Sequence, residues 1–117
     1  SFVLSEGYYD AYFSKAQKVR TLVRNRLQEI FGGFDFIVLP TSPVAAWKKS
    51  EKAENPLSEY MADIYTVLAS LAGMPAISVP SGNNSGGLPL GIQLIAPAGS
   101  DKKLVGFCKD ITDWHNI

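Results

Sequence analysis

The sequence predicts an α/β fold in which a mixed sheet is covered by helices. Long segments with apolar residues at intervals of three and four alternate with short, nearly continuous apolar runs. Hydrophobic residues make up 46% of the 117 residues, which is enough for a packed core and excludes extensive disorder. This length allows one domain or a part of one. The few predicted helices can hardly cover both faces of such strands, so we expect the chain to contribute to a larger sheet.

The first predicted elements are a helix over residues 10–31 and a strand over residues 34–39. Apolar residues of the helix form one stripe that would face a core. Gly32 and Gly33 end the helix, because glycine readily adopts the left-handed cap conformation. The uninterrupted apolar run of the strand favours a central strand that is covered on both faces. The lysine-rich residues 44–54 that follow are expected to form a surface connection.

A second helix is predicted to begin with Asn55 as its N-cap and Pro56 as its first residue. Gly73 and Pro75 end it through a cap and a block. Between these limits one regular apolar stripe indicates a single continuous helix. The stripe consists of Leu57, Met61, Ile64, Leu68 and Leu71.

Two strands at residues 76–80 and 90–96 are predicted next, joined by a turn rich in Asn, Gly and Ser. Prolines bracket both strands, which places the pair at an end or edge of a sheet, near a cleft. Gln93 is an amide inside an apolar run, so we expect it to be buried and hydrogen-bonded to backbone. A final helix is predicted from residue 101 to about residue 114.

Charge and cysteine content exclude several classes of protein. The formal net charge is zero, which favours neither a nucleic-acid-binding nor a membrane-surface protein. Cys108 is the single cysteine, so it forms no internal disulfide, fits a reducing compartment and is expected to be a buried structural residue. His115 is the single histidine and has no cluster of potential ligands beside it, so no metal site is predicted. No apolar run is long enough to cross a bilayer, and we expect a cytoplasmic location without membrane contact.

Several motifs together resemble the amidase signature family. The main ones are Pro-Ala-Ile-Ser-Val-Pro-Ser-Gly at 75–82 and Gly-Leu-Pro-Leu-Gly-Ile-Gln-Leu-Ile-Ala-Pro at 87–97. Within that family, Gly-Tyr-Tyr-Asp-Ala-Tyr-Phe at 7–13, Asn-Pro-Leu at 55–57 and Tyr-Met-Ala-Asp-Ile at 60–64 are similar to the A subunits of the glutamyl-tRNA(Gln) amidotransferases. The resemblance extends to about Pro97. It implies the C-terminal portion of an amidase-signature fold, with residues 1–117 as a C-terminal fragment of a single amidase domain.

The resemblance also implies an activity for the intact protein. Such a subunit releases ammonia from glutamine, and the partner subunits B and C use it to convert Glu-tRNA(Gln) to Gln-tRNA(Gln). The partner subunit consumes ATP and magnesium and makes most of the contact with tRNA, so no cofactor is expected in this chain. The family's catalytic lysine and paired serines have no match here, because Ser85-Gly86-Gly87 has the composition of a turn. We therefore assign no catalytic residue and expect the isolated chain to be inactive.

One substrate-binding residue follows from the family pattern, namely Asp63. In the family the matching aspartate helps to hold the substrate glutamine, and a carboxylate is a natural partner for an α-ammonium group. At 100° per residue, Asp63 would lie roughly 120° from the apolar stripe, on a helix flank shared with Tyr60, Val67 and Ser70. The alternative is an ordinary solvated surface acid. The family's arginine for the substrate carboxylate would lie upstream of Ser1 and is not assigned.

Other interpretations remain open. Thr41 and Ser42 follow a strand end, where ligand contacts are common in α/β proteins, although capping of the turn between two prolines is the preferred interpretation. For the whole chain, one alternative is a fragment of an amidase-signature hydrolase with a different amide substrate. The other is a small binding module without enzymatic activity.

Overall fold

A computed structural model describes residues 6–49 and 56–112. This part of the chain combines four helices with three strands, and the predicted α/β class is confirmed. None of its helices combines the length and apolar character needed to cross a membrane. The elements are α1 (Glu6–Phe31), β1 (Ile37–Pro40), α2 (Pro56–Ala62), α3 (Val67–Ala72), β2 (Ala76–Asn83), β3 (Pro89–Ile95) and α4 (Asp101–Thr112).

The described strands form one antiparallel sheet in the order β1-β3-β2. Ile37 and Ala76 both pair with Ile95, which fixes the register of the two outer strands. The prediction that the first strand is central does not hold within the described residues, where β1 is an edge strand and Val38 is 57% exposed. A short apolar run cannot by itself distinguish an edge strand from a central one.

Helices cover the two faces of the sheet and create two cores. On one face, α1 and α3 pack over Ile95, in a cluster with Leu27, Ala69, Ala72 and Met74. On the other face, α4 packs over the sheet in a cluster formed by Val79, Leu94, Ala96, Leu104 and Cys108. The burial of Cys108 confirms its predicted structural role, and desolvation raises the pKa of its thiol.

The first helix is longer than predicted, because α1 begins at Glu6 instead of residue 10. It ends at Phe31 as predicted, but neither Gly32 nor Gly33 adopts the predicted left-handed cap conformation. Instead, Gly32 N–H donates to the carbonyl of Glu29 in a tight final turn. Burial is confined to the C-terminal half of its apolar stripe, whereas Val19 and Leu22 are exposed. The stripe therefore extends beyond the surface that the described residues cover.

The predicted second helix is interrupted. α2 ends at Ala62 and α3 starts at Val67, and residues 63–66 form a turn between them. The carbonyl of Asp63 accepts hydrogen bonds from the backbone N–H groups of Thr66 and Val67 and from the Thr66 hydroxyl, at 3.1, 3.2 and 3.2 Å. Because a threonine hydroxyl competes for backbone carbonyls, it favours a local turn at the expense of a regular helix. The prediction of one continuous helix is therefore wrong.

The ends of these two helices agree with the prediction where the structure describes them. Gly73 caps α3 in the left-handed conformation, with φ of 68°, and its N–H points to the carbonyls of Ala69 and Ser70. The predicted N-cap Asn55 lies outside the described residues. At the other end of the chain, α4 stops at Thr112, and His115 is also outside them.

The predicted strand pair is confirmed as β2 and β3, which extend to residue 83 and start at residue 89. Asn84 builds the turn, since its side-chain Oδ1 accepts hydrogen bonds from the N–H groups of Gly86 and Leu88 at 3.0 and 2.9 Å. Gly87 adopts a φ of 83°, which glycine tolerates best. Turn chemistry thus accounts for the Ser85-Gly86-Gly87 segment, as predicted.

Candidate functional site

Asp63 lies on a groove between α1 and α3. The groove has a volume of about 530 Å³, and Asp63 is exposed on its wall. Val67 and Ser70 also line this groove, which agrees with the prediction that they lie on the same flank as Asp63. Tyr60 was predicted to share that flank, but it is 83% exposed and is not among the lining residues. The lining residues are Arg20, Asp63, Thr66, Val67, Ser70 and Leu71.

The turn of residues 63–66, and not a helix flank, presents Asp63 to the groove. Local hydrogen bonds to its carbonyl hold the backbone of this turn. A longer-range bond comes from the sheet, where the side-chain Nε2 of Gln93 donates to the carbonyl of Tyr65 at 2.9 Å. Gln93 is 4% exposed, so both parts of its prediction, burial and a backbone partner, are confirmed.

Arg20 supplies the cationic side of the groove, which sequence reasoning missed. Its Nε donates to the carbonyl of Leu71 at 2.8 Å and thereby links α1 to the last turn of α3. The sequence places Arg20 among other basic residues at helical spacing, which predicts only a solvated helix face. Because the two residues are 51 positions apart, only the folded structure reveals this contact.

The composition of the groove suits an amino-acid ligand. Asp63 offers a carboxylate that can bind an ammonium group, and the hydroxyls of Thr66 and Ser70 can donate or accept hydrogen bonds. The lining residues include no lysine or histidine that could act as a base for either hydroxyl. This wall can therefore bind and orient a substrate, and it carries no nucleophile–base pair of its own.

A second depression of about 760 Å³ opens at the end of β1, beside the loop of residues 41–47. The hydroxyls of Thr41 and Ser78 share a hydrogen bond of 2.6 Å across Gly91 of the central strand. Ser42 Oγ accepts a hydrogen bond from Val44 N–H at 3.4 Å, in agreement with its predicted turn-capping role. The hydroxyl of Thr41, for which the same role was predicted, instead bonds to Ser78 on β2. Among the described residues, no charged side chain lines this depression, and the hydroxyls of Thr41, Ser42 and Ser78 bond to one another or to the local backbone.

Potential metal ligands do not cluster within residues 6–49 and 56–112. No three histidine, cysteine, aspartate or glutamate residues of this part of the chain are grouped as they would be around an ion. Some of the acids instead form ordinary surface pairs, such as Asp35 with Lys103 at 2.8 Å. Exposed pairs of this kind contribute little to stability.

Comparison with known proteins adds the family context. The sequence model described as Amidase matches residues 1–105. The chain is 44% identical to the glutamyl-tRNA(Gln) amidotransferase A subunit of Pseudomonas entomophila, an alignment that covers 98% of this chain and 24% of that protein. It is 45% identical to the corresponding protein of Rippkaea orientalis, with the same coverage. The chain thus spans about a quarter of the length of the curated relatives it matches.

Solved structures give the same result for the fold. The A subunit of the Thermotoga maritima glutamyl-tRNA(Gln) amidotransferase superimposes with a TM-score of 0.76 at 47% identity, over 84% of this chain and 21% of that one. The S177A variant of Kluyveromyces lactis allophanate hydrolase gives a TM-score of 0.74 at 26% identity, over 93% of this chain and 17% of that one. The predicted resemblance, including its fold, is confirmed by these comparisons.

Proposed function

Because this chain belongs to the amidase family, we propose that it is the C-terminal part of the glutaminase subunit of a tRNA-dependent amidotransferase. Residues 1–117 would form one portion of a single amidase domain, and the protein that contains the whole domain is called the complete subunit below. Its closer similarity to amidotransferase subunits than to allophanate hydrolase is the observation that carries this proposal. The complete subunit would release ammonia from glutamine.

The chain would contribute one wall of the glutamine pocket. In this proposal the carboxylate of Asp63 binds the α-ammonium group of glutamine, and the groove around it orients the amino-acid end of the substrate. The exposed carboxylate on a groove wall supports this role, and so do the neighbouring hydroxyls of Thr66 and Ser70. The catalytic serine and lysine would come from residues outside this chain.

The ammonia would serve a second reaction on partner subunits. Subunits B and C would use it, with ATP and magnesium, to amidate glutamate on tRNA and so convert Glu-tRNA(Gln) to Gln-tRNA(Gln). Most of the contact with tRNA would be made by the partner subunit. The zero net charge of this chain is compatible with a limited role in binding a polyanion. The assembly would work in the cytoplasm.

Replacing Asp63 with alanine in the complete subunit tests the proposed role. Removal of one partner of a charge pair that the complete subunit would bury is expected to cost about 2–4 kcal/mol, which lowers kcat/KM for glutamine on the order of 30-fold to 1000-fold. Asp110→Ala is a matched control, because it removes another exposed acid, from α4 on the opposite face of the sheet. Ammonia release at varied glutamine concentrations is the measurement. An unchanged kcat/KM in Asp63→Ala would refute the assignment.

The same assay separates this function from the alternatives. A complete subunit with a different amide specificity would release more ammonia from other amides than from glutamine. The purified chain of 117 residues serves as the second control, since it is expected to release no more ammonia than a heat-inactivated sample. Turnover well above that background would mean that the chain carries its own nucleophile and base.

A further inference from the structure

Gln93 has a contact that the proposed chemistry does not use. It lies in the central strand β3, and its side chain is buried on the face that α1 and α3 cover, in one row with Leu39 and Ser78. A buried amide without a partner would be costly, and the 2.9 Å bond to the carbonyl of Tyr65 satisfies one of its donors. This bond joins residues 28 positions apart.

This bond is important because its acceptor, the carbonyl of Tyr65, lies close to Asp63 in the chain. Tyr65 belongs to the turn of residues 63–66, which begins with Asp63. The other hydrogen bonds found in this turn join residues that are close in sequence. Thr66 and Val67, for example, both donate to the carbonyl of Asp63. Such local bonds shape the turn without fixing its height above the sheet. Among the described residues, the Gln93 side chain supplies the hydrogen bond that connects the turn to a rigid strand.

The far end of α3 has its own anchor, since Arg20 of α1 donates to the carbonyl of Leu71. The two side chains thus hold the turn before α3 and the last turn of α3, one from the sheet and one from the neighbouring helix. Gln93 is the buried anchor, and the carbonyl that it holds is only two residues from Asp63 in the chain. A shift of the turn therefore depends on the Gln93 bond more than on the exposed Arg20 bond.

We propose that Gln93 is a positioning residue, which holds the turn of residues 63–66 at the height where the Asp63 carboxylate meets the substrate ammonium group. The proposal rests on the proposed function and deepens it. Gln93 would not touch the substrate. Loss of the Gln93 side chain would displace the Asp63 carboxylate and weaken the binding of glutamine. The chemical step would be unaffected, because groups elsewhere in the complete subunit would act on the reacting end of the substrate.

Gln93→Met in the complete subunit provides the test, because methionine has a similar length and cannot donate to the Tyr65 carbonyl. The KM for glutamine is expected to rise about 5-fold to 30-fold, the effect of losing one buried hydrogen bond, while kcat stays within about twofold. Leu94→Ala is the matched control. It destabilises the same strand from the opposite face, in the cluster beneath α4, and should lower the melting temperature without changing KM.

A smaller change covers the case in which Gln93→Met fails to fold. Gln93→Asn keeps the amide but shortens its reach by about 1.5 Å, beyond hydrogen-bonding distance of the Tyr65 carbonyl. It should reproduce the rise in KM with a smaller loss of melting temperature. In either variant, amide hydrogen exchange at Thr66 and Val67 should accelerate, because their common acceptor lies in the released turn.

A double-mutant cycle with Asp63→Ala decides between positioning and general stabilisation. If Gln93 acts through Asp63, Gln93→Met should raise KM less than about twofold once the carboxylate is gone, since coupled residues are not additive. Equal effects in both backgrounds, or an unchanged KM with a lower melting temperature, would overturn the inference and leave the proposed function standing. If Asp63→Ala alone leaves KM unchanged, the proposed role of Asp63 fails, and the inference fails with it.

Discussion

Replacing Leu104 with alanine measures how firmly α4 holds the sheet. Leu104 is 1% exposed and packs in the cluster with Val79, Leu94 and Cys108. The change removes Cγ and both Cδ atoms, which amounts to about 2.4 kcal/mol of lost transfer free energy at about 0.8 kcal/mol per carbon. The cavity that remains raises the expected loss of unfolding free energy to about 3–4 kcal/mol. That is a large share of the stability of a small domain.

Val105→Ala is the matched control on the next position of the same helix. Val105 is 56% exposed, so the lost burial is only about 0.7 kcal/mol and is offset by a similar gain in helix propensity. Urea unfolding of the chain, followed by circular dichroism, gives the free energy of unfolding of each variant. The dependence of this free energy on urea concentration should be the same for both variants. A loss below about 1 kcal/mol for Leu104→Ala, or equal losses for both variants, would refute the described packing of α4.

Further predictions concern Gly91 in the sheet, Gly106 in α4 and the cysteine. Gly91→Ala should destabilise the chain by about 1–3 kcal/mol, because its Cβ would lie 3.0 Å from Ser78 Oγ and 3.1 Å from Thr41 Oγ1. Gly106→Ala should instead stabilise it by about 0.5–1 kcal/mol, since no described atom outside the local backbone of α4 and the two neighbouring residues would lie within 4 Å of that Cβ. If both substitutions shifted the midpoint of urea unfolding in the same direction relative to the unsubstituted chain, these two predictions would be contradicted. Burial raises the pKa of the Cys108 thiol above its ordinary range, so its labelling by a thiol reagent should be much slower in the folded chain than in urea, and equal rates would contradict its burial. Since the unfolded thiol loses its proton first, stability should also decrease as the pH rises past the ordinary pKa of a thiol.

The fold was predictable where one local signal decided the structure. Gly73 is predicted to cap a helix because glycine tolerates positive φ, and it does so at 68°. Asn84 and the glycines after it give a turn signal that needs no information from distant residues. For Gln93 only one part was predictable, namely that a buried side-chain amide forms a hydrogen bond. Its partner, the Tyr65 carbonyl, depends on how α3 packs on the sheet and could not be predicted.

The interrupted helix and the groove were not predictable, because both depend on tertiary contacts. An apolar residue at every third or fourth position from Leu57 to Leu71 continues across the break, so periodicity gives no sign of it. Ile64, Thr66 and Val67 are β-branched, a weak sign of low helix propensity. Asp63 follows from a family pattern, and its location on a groove wall comes only from the structure. Its role in substrate binding stays a prediction.

The order of strands in the sheet has a consequence for biosynthesis. Each described outer strand pairs with β3, which is the last of the three strands to be translated. Residues 37–40 therefore leave the ribosome long before the strand that satisfies their hydrogen bonds exists. Domains generally fold as units during synthesis, and contacts between distant residues form slowly. Within the described residues, a nascent chain that stalls before residue 89 thus lacks the strand with which both β1 and β2 pair.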